Sequence, residues 1–79
     1  MNNNDKLRNV FATSLGISED LVKDDLKYNS INQWDSIAHM TLVAELENVF
    51  DVMLDTDQIL DMSSVAKARE ILNSHDIEF

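Results

Sequence analysis

Gly16 is the only glycine in a 79-residue chain that contains no proline and no cysteine. Strand-rich folds punctuate themselves with glycine and proline turns, and disulfide or thiolate-metal scaffolds need cysteine. With these devices missing, only changes in hydrophobic periodicity can divide the chain. Stability has to come from packing alone, at a length where one small core is barely sufficient. The single glycine closes a helical stripe: Leu7, Val10, Phe11 and Leu15 recur at helical spacing and predict a helix over about 4–15, with Gly16 as the left-handed residue that ends it.

From Ile17 to Asp35 no period holds, which leaves a connection of roughly nineteen residues, longer than loops usually are. Ile17, Leu21, Leu26, Tyr28 and Ile31 are spaced as pins that would fasten it to a helical core, and Ser18 before Glu19 and Asp20 can cap one short turn. A second helix is expected over 36–50, with Asp35 or Ser36 as N-cap, and a short third over about 57–61. A fourth is expected over 64–73, capped by Ser63, and the tail after it is expected to fray. Alternation never lasts long enough for a strand. The prediction is a single all-α domain over 1–79: a small bundle of three main helices plus one short helix, with a long loop between helices 1 and 2. Its core would be Leu7, Val10, Phe11, Leu15, Leu42, Val43, Leu46, Phe50, Leu54, Val65, Ala68, Ile71 and Leu72.

Fifteen acidic against six basic residues give a formal charge of −9, which repels nucleic-acid phosphates and anionic headgroups and favours basic partner surfaces. No apolar run approaches a membrane span, and the N-terminus lacks a secretory apolar core, so a soluble, cytoplasmic monomer is expected.

The second helix carries two faces. His39, Leu42, Val43, Leu46 and Phe50 share a sector of about 100° that would face the core. Opposite them, Ile37, Met40, Ala44, Glu47 and Asn48 form an apolar strip with polar borders, suited to docking a partner protein. Ser36 stands at the head of the helix between the faces. Ser36 with His39 as a nucleophile and base fails for want of a glycine-rich turn to build an oxyanion hole, so no catalytic residue is assigned. The carboxylates Asp51, Asp55, Asp57 and Asp61 evoke a calcium loop but lack its glycine and terminal glutamate in register, so no metal site is assigned.

The triplet Asp35-Ser36-Ile37, the spacing of Leu42, Val43, Leu46, Glu47 and Phe50 behind it, and the pair Ser63-Ser64 before Val65 together resemble the acyl carrier protein family over nearly the whole chain. The resemblance implies that Ser36 accepts 4′-phosphopantetheine from coenzyme A through a separate phosphopantetheinyl transferase, with Asp35 beside it read by that enzyme. It implies a non-catalytic carrier of acyl or aminoacyl thioesters, served by loading and acyl-transferring enzymes. It also implies a partner face of Ile37, Met40, Thr41, Ala44, Glu47 and Asn48, with Asp55 and Asp57 nearby, and an acyl pocket at His39, Leu42, Val43, Leu46 and Leu54. Thr41 and Asn48 are neutral where fatty-acid-synthesis carriers are commonly acidic, and Trp34 before the triplet looks like carriers of specialised pathways. His39 would make the pocket less welcoming to a long apolar chain. The reading from another class is an unmodified acidic adaptor that keeps a carrier-like fold.

Overall fold

The computed structural model describes residues 2–79. It is all-helical among these residues apart from one isolated backbone bridge, and its extents are 30 × 28 × 20 Å. Helix α1 spans Asn3–Leu15, α2 Ser36–Phe50, α3 Thr56–Asp61 and α4 Val65–Ser74. The expected all-α architecture of three main helices and one short one is therefore the fold.

Each helix begins on a side chain that satisfies an otherwise orphaned amide. Asn2 accepts from Asp5, Asp35 from Ala38, Asp55 from Gln58 and Ser64 from Lys67. The cap of α4 is thus Ser64 rather than Ser63, because Ser64 has the extended backbone a cap requires. Gly16 closes α1 in the left-handed region at φ 68°, and its N–H donates to the Ala12 carbonyl. Asp51 plays the same part for α2 at φ 54° without a glycine's freedom, donating to Glu47 O.

Helices α1 and α2 make the principal contact, and α4 closes the core with Val65, Ala68, Ile71 and Leu72. All thirteen expected core side chains are buried, and Ala12, Val22, Trp34 and Met62 join them. Trp34 is fully enclosed, at 0% exposure. In the long loop, Val22 and Trp34 are the buried pins. Ile17, Leu26 and Ile31 pack partly, whereas Leu21 and Tyr28 are exposed. Leu21 fails as a pin because it ends a short 3-10 turn, Glu19–Leu21, which Ser18 caps and which buries none of its residues.

Three backbone hydrogen bonds stitch this loop to the head of α4. Tyr28 N–H donates to Ser63 O at 2.8 Å, Val65 N–H to Leu26 O at 3.0 Å and Ala66 N–H to Asp24 O at 3.3 Å. The loop carbonyls thereby satisfy two of the first amides of α4. Arg69 pairs with Asp24 across the same seam. The tail, where fraying is expected, lies back against the bundle. Ile77 N–H donates to Leu72 O at 3.1 Å, Phe79 lies edge-on to Phe50 with ring centroids 6.1 Å apart, and the Arg69 guanidinium sits 5.6 Å from the Phe79 ring centre.

Candidate functional site

Asn29, in the left-handed region at φ 64°, donates its N–H to Trp34 O at 3.0 Å and closes a tight turn. That turn drives Trp34 into the core and leaves the next residue, Asp35, extended and free to start α2. The Asp35 carboxylate accepts from Ala38 N–H at 2.8 Å, and Asp35 O accepts from His39 N–H at 2.8 Å. Ser36 is then the first helical residue rather than the cap. It is exposed, and neither its hydroxyl nor the Ser36 and Ile37 amides find a partner among the described residues. Two free amides at the positive end of a 15-residue helix favour a negative group there.

Ser36 borders a half-open cleft of about 420 Å³, lined also by Tyr28, His39, Met40, Ile59, Leu60, Met62 and Ser63. The walls are largely apolar. Its floor is organised by His39. Trp34 Nε1–H donates to His39 Nδ1 at 3.0 Å, and His39 Nε2 reaches Ile59 O at 2.9 Å. Indole N–H is only a donor and a carbonyl only an acceptor, so the ring is neutral with its proton on Nε2. The Trp34 and His39 planes lie 22° apart with centroids separated by 6.1 Å, the side-by-side placement that such an in-plane bond requires. Tyr28 meets His39 edge-on at 5.3 Å, and Phe11 meets Trp34 edge-on at 5.3 Å. Parting α3 from α2 would strip His39 Nε2 and Ile59 O of each other, at roughly 1–3 kcal/mol for each one left buried.

The residues expected to line an acyl pocket fall into two groups in this geometry. Of His39, Leu42, Val43, Leu46 and Leu54, only His39 lines the cleft. The other four are at most 5% exposed and pack into the closed core. Leu42, Val43 and Leu46 point there because α2 packs that face against α1, so their stripe is consumed by packing. Tyr28, Ile59, Leu60 and Met62 supply the walls instead, and they lie outside the periodic part of α2. Only contact between loop, α2 and α3 brings them together, which no stretch of sequence displays.

On the expected partner face, Ile37, Met40, Thr41, Ala44 and Asn48 are exposed, with Ile37 at 79% and Met40 at 59%. Leu60, which shares the cleft wall with Met40, extends the apolar strip onto α3 at 78% exposure. Glu47 departs from the set: it is half-buried, and its carboxylate accepts from Leu54 N–H at 2.9 Å. It fastens the turn after α2 rather than standing free. Asp55 caps α3 through a reciprocal bond pattern with Gln58, while Asp57 and Asp61 lie exposed beside it. No group of three or more His, Asp or Glu is placed to hold a metal ion among the described residues. No helix among the described residues is long and apolar enough to cross a membrane.

The family pattern described as a phosphopantetheine attachment site matches residues 5–71, and the chain belongs to this family. It is similar to proteins named acyl carrier protein from Chlorobium phaeobacteroides, Chlorobium phaeovibrioides and Chlorobium luteolum. Each is 28% identical over 64 residues, covering 81% of this chain and 82% of the relative. The protein is accordingly a carrier with a covalently attached 4′-phosphopantetheine, a class that works with phosphopantetheinyl transferases and acyl-handling enzymes. The group supplies a thiol to a chain that has none.

Proposed function

We propose that Ser36 is the attachment residue and that the protein is an acyl carrier without catalytic groups of its own, serving a specialised biosynthetic pathway. The observation that carries this reading is the division of labour at the head of α2. Asp35 takes the capping role, which leaves the Ser36 hydroxyl exposed and unengaged at the mouth of the cleft. Attachment joins the Ser36 oxygen to phosphorus in a phosphodiester, the hydroxyl proton leaves, and coenzyme A releases its adenosine bisphosphate half. The free amides of Ser36 and Ile37 would face the new negative charge.

Partner enzymes would read the exposed strip of Ile37, Met40, Thr41, Ala44, Asn48 and Leu60, bordered by Asp35, Asp57 and Asp61. With Thr41 and Asn48 neutral and Glu47 engaged with Leu54, this face has less charge for steering than the total of −9 would imply. That favours a dedicated set of loading and transferring enzymes over general fatty acid synthesis.

Incubation with coenzyme A and a promiscuous phosphopantetheinyl transferase, followed by intact-mass measurement, tests the assignment. Wild type should gain one phosphopantetheine and Ser36→Ala none. A gain that survives Ser36→Ala refutes it. The competing adaptor reading rests on the same exposed strip and requires partner binding that is unchanged whether or not the arm is present.

A further inference from the structure

We infer, on the basis of the carrier reading above, that the Trp34–His39–Ile59 bridge is a specificity determinant that keeps thioester cargo out of the helical core and restricts it to short or polar acyl groups. Cargo joined through Ser36 has two places to go, the half-open cleft or the interior. The interior offers no ready space. Phe11, Trp34, Leu42, Leu46, Met62 and Leu72 are each at 0–1% exposure and belong to one continuous cluster. A long chain could enter only by separating α3 from α2.

Separation is what the bridge opposes. Helix α3 buries none of its residues, so core packing holds it weakly, and Ile59 O is tied to α2 through His39. The same imidazole is tied at its other nitrogen to the enclosed indole of Trp34. Both ring nitrogens and the carbonyl are satisfied at once only when the floor of the cleft is shut. Tyr28 holds the ring edge-on from the loop side. Trp34 is thus a positioning residue that fixes the His39 tautomer, and His39 is the bolt.

The bridge is tested first on the unmodified chain by exchange of the Trp34 indole proton. It should exchange slowly in wild type and in His39→Gln, whose amide can accept from Trp34 and donate to Ile59 O. It should exchange faster by at least about tenfold in His39→Leu, equivalent to ~1.4 kcal/mol. Cargo is tested on protein loaded from acetyl- or octanoyl-coenzyme A, with loading verified by intact mass and the thioester challenged with hydroxylamine. In wild type and His39→Gln the acetyl and octanoyl thioesters should react at rates within about twofold of each other. In His39→Leu, and in Trp34→Phe, which removes the indole donor, octanoyl should become protected by about tenfold relative to acetyl. Protection of octanoyl in wild type overturns the inference, as does its absence in both folded variants. Failure to load at all overturns the carrier reading instead, and the indole measurement still decides whether the bridge exists.

Discussion

Asp35 relieves Ser36 of structural duty: its carboxylate holds the Ala38 amide at 2.8 Å as the N-cap, so the hydroxyl one position further on is free. The two residues should separate cleanly on mutation. Ser36→Ala is expected to abolish arm attachment and change unfolding free energy by less than about 0.5 kcal/mol, as for other exposed positions. Asp35→Ala should lose about 1 kcal/mol in urea titration through the missing cap, besides slowing attachment.

The buried indole gives a second expectation. Trp34→Ala removes the most voluminous enclosed side chain and leaves His39 Nδ1 without its donor, and should cost about 3–5 kcal/mol in urea-induced unfolding. Against the roughly 5–15 kcal/mol of a typical domain, that is enough to leave a chain of this size partly unfolded at 37 °C. Circular dichroism at that temperature would show the lost helix.

Gly16 and Asp51 form a natural pair, since both occupy the left-handed region at helix ends, with φ 68° and 54°. A Cβ added to Gly16 meets nothing within 4 Å, so the cost of Gly16→Ala is conformational only, about 1–2 kcal/mol. Asp51→Gly should move the other way and raise the melting temperature, by roughly 0.5–1 kcal/mol of stability. A stabilised Gly16→Ala protein would contradict this account.

The pH dependence has one defined component. Lys67, on α4, hydrogen-bonds Asp61 at the end of α3 and also lies near Glu70, and these carboxylates raise its pKa above the ordinary 10.5. A pKa raised in the folded state stabilises the fold fully below the unfolded value and loses that contribution as pH rises through the folded one. The α3–α4 tie should therefore be intact at neutral pH and weaken only above about 10.5. Lys67→Met should flatten the alkaline limb of a stability-versus-pH curve.

Hydrogen exchange should rank the helices. Amides of α3, which has no buried residue, should exchange well before those of α1 and α2.

Helical periodicity made most of the core legible, because stripes such as Leu7–Val10–Phe11 and Leu42–Val43–Leu46 announce their own burial. Val22, Trp34 and Met62 escaped that reading for a physical reason: they lie in segments without a period, where burial is decided by distant contacts. The site divides in the same way. Asp35-Ser36-Ile37 is a local pattern and could be read directly. The cleft walls are not, because Tyr28, Met40 and Leu60 meet only after loop, α2 and α3 assemble. The bond from Leu54 N–H to the Glu47 carboxylate was not legible either, since a helical position gives no hint of it.

The seam between the long loop and the head of α4 makes the placement of Ser36 depend on residues near the far end of the chain. On a ribosome, residues 24–28 would wait for 63–66 before their carbonyls and amides could pair, and Trp34 and the start of α2 would wait with them. The serine is made early and presented late. A modifying enzyme that recognises the finished surface would therefore act only once residues 63–66 have joined the fold.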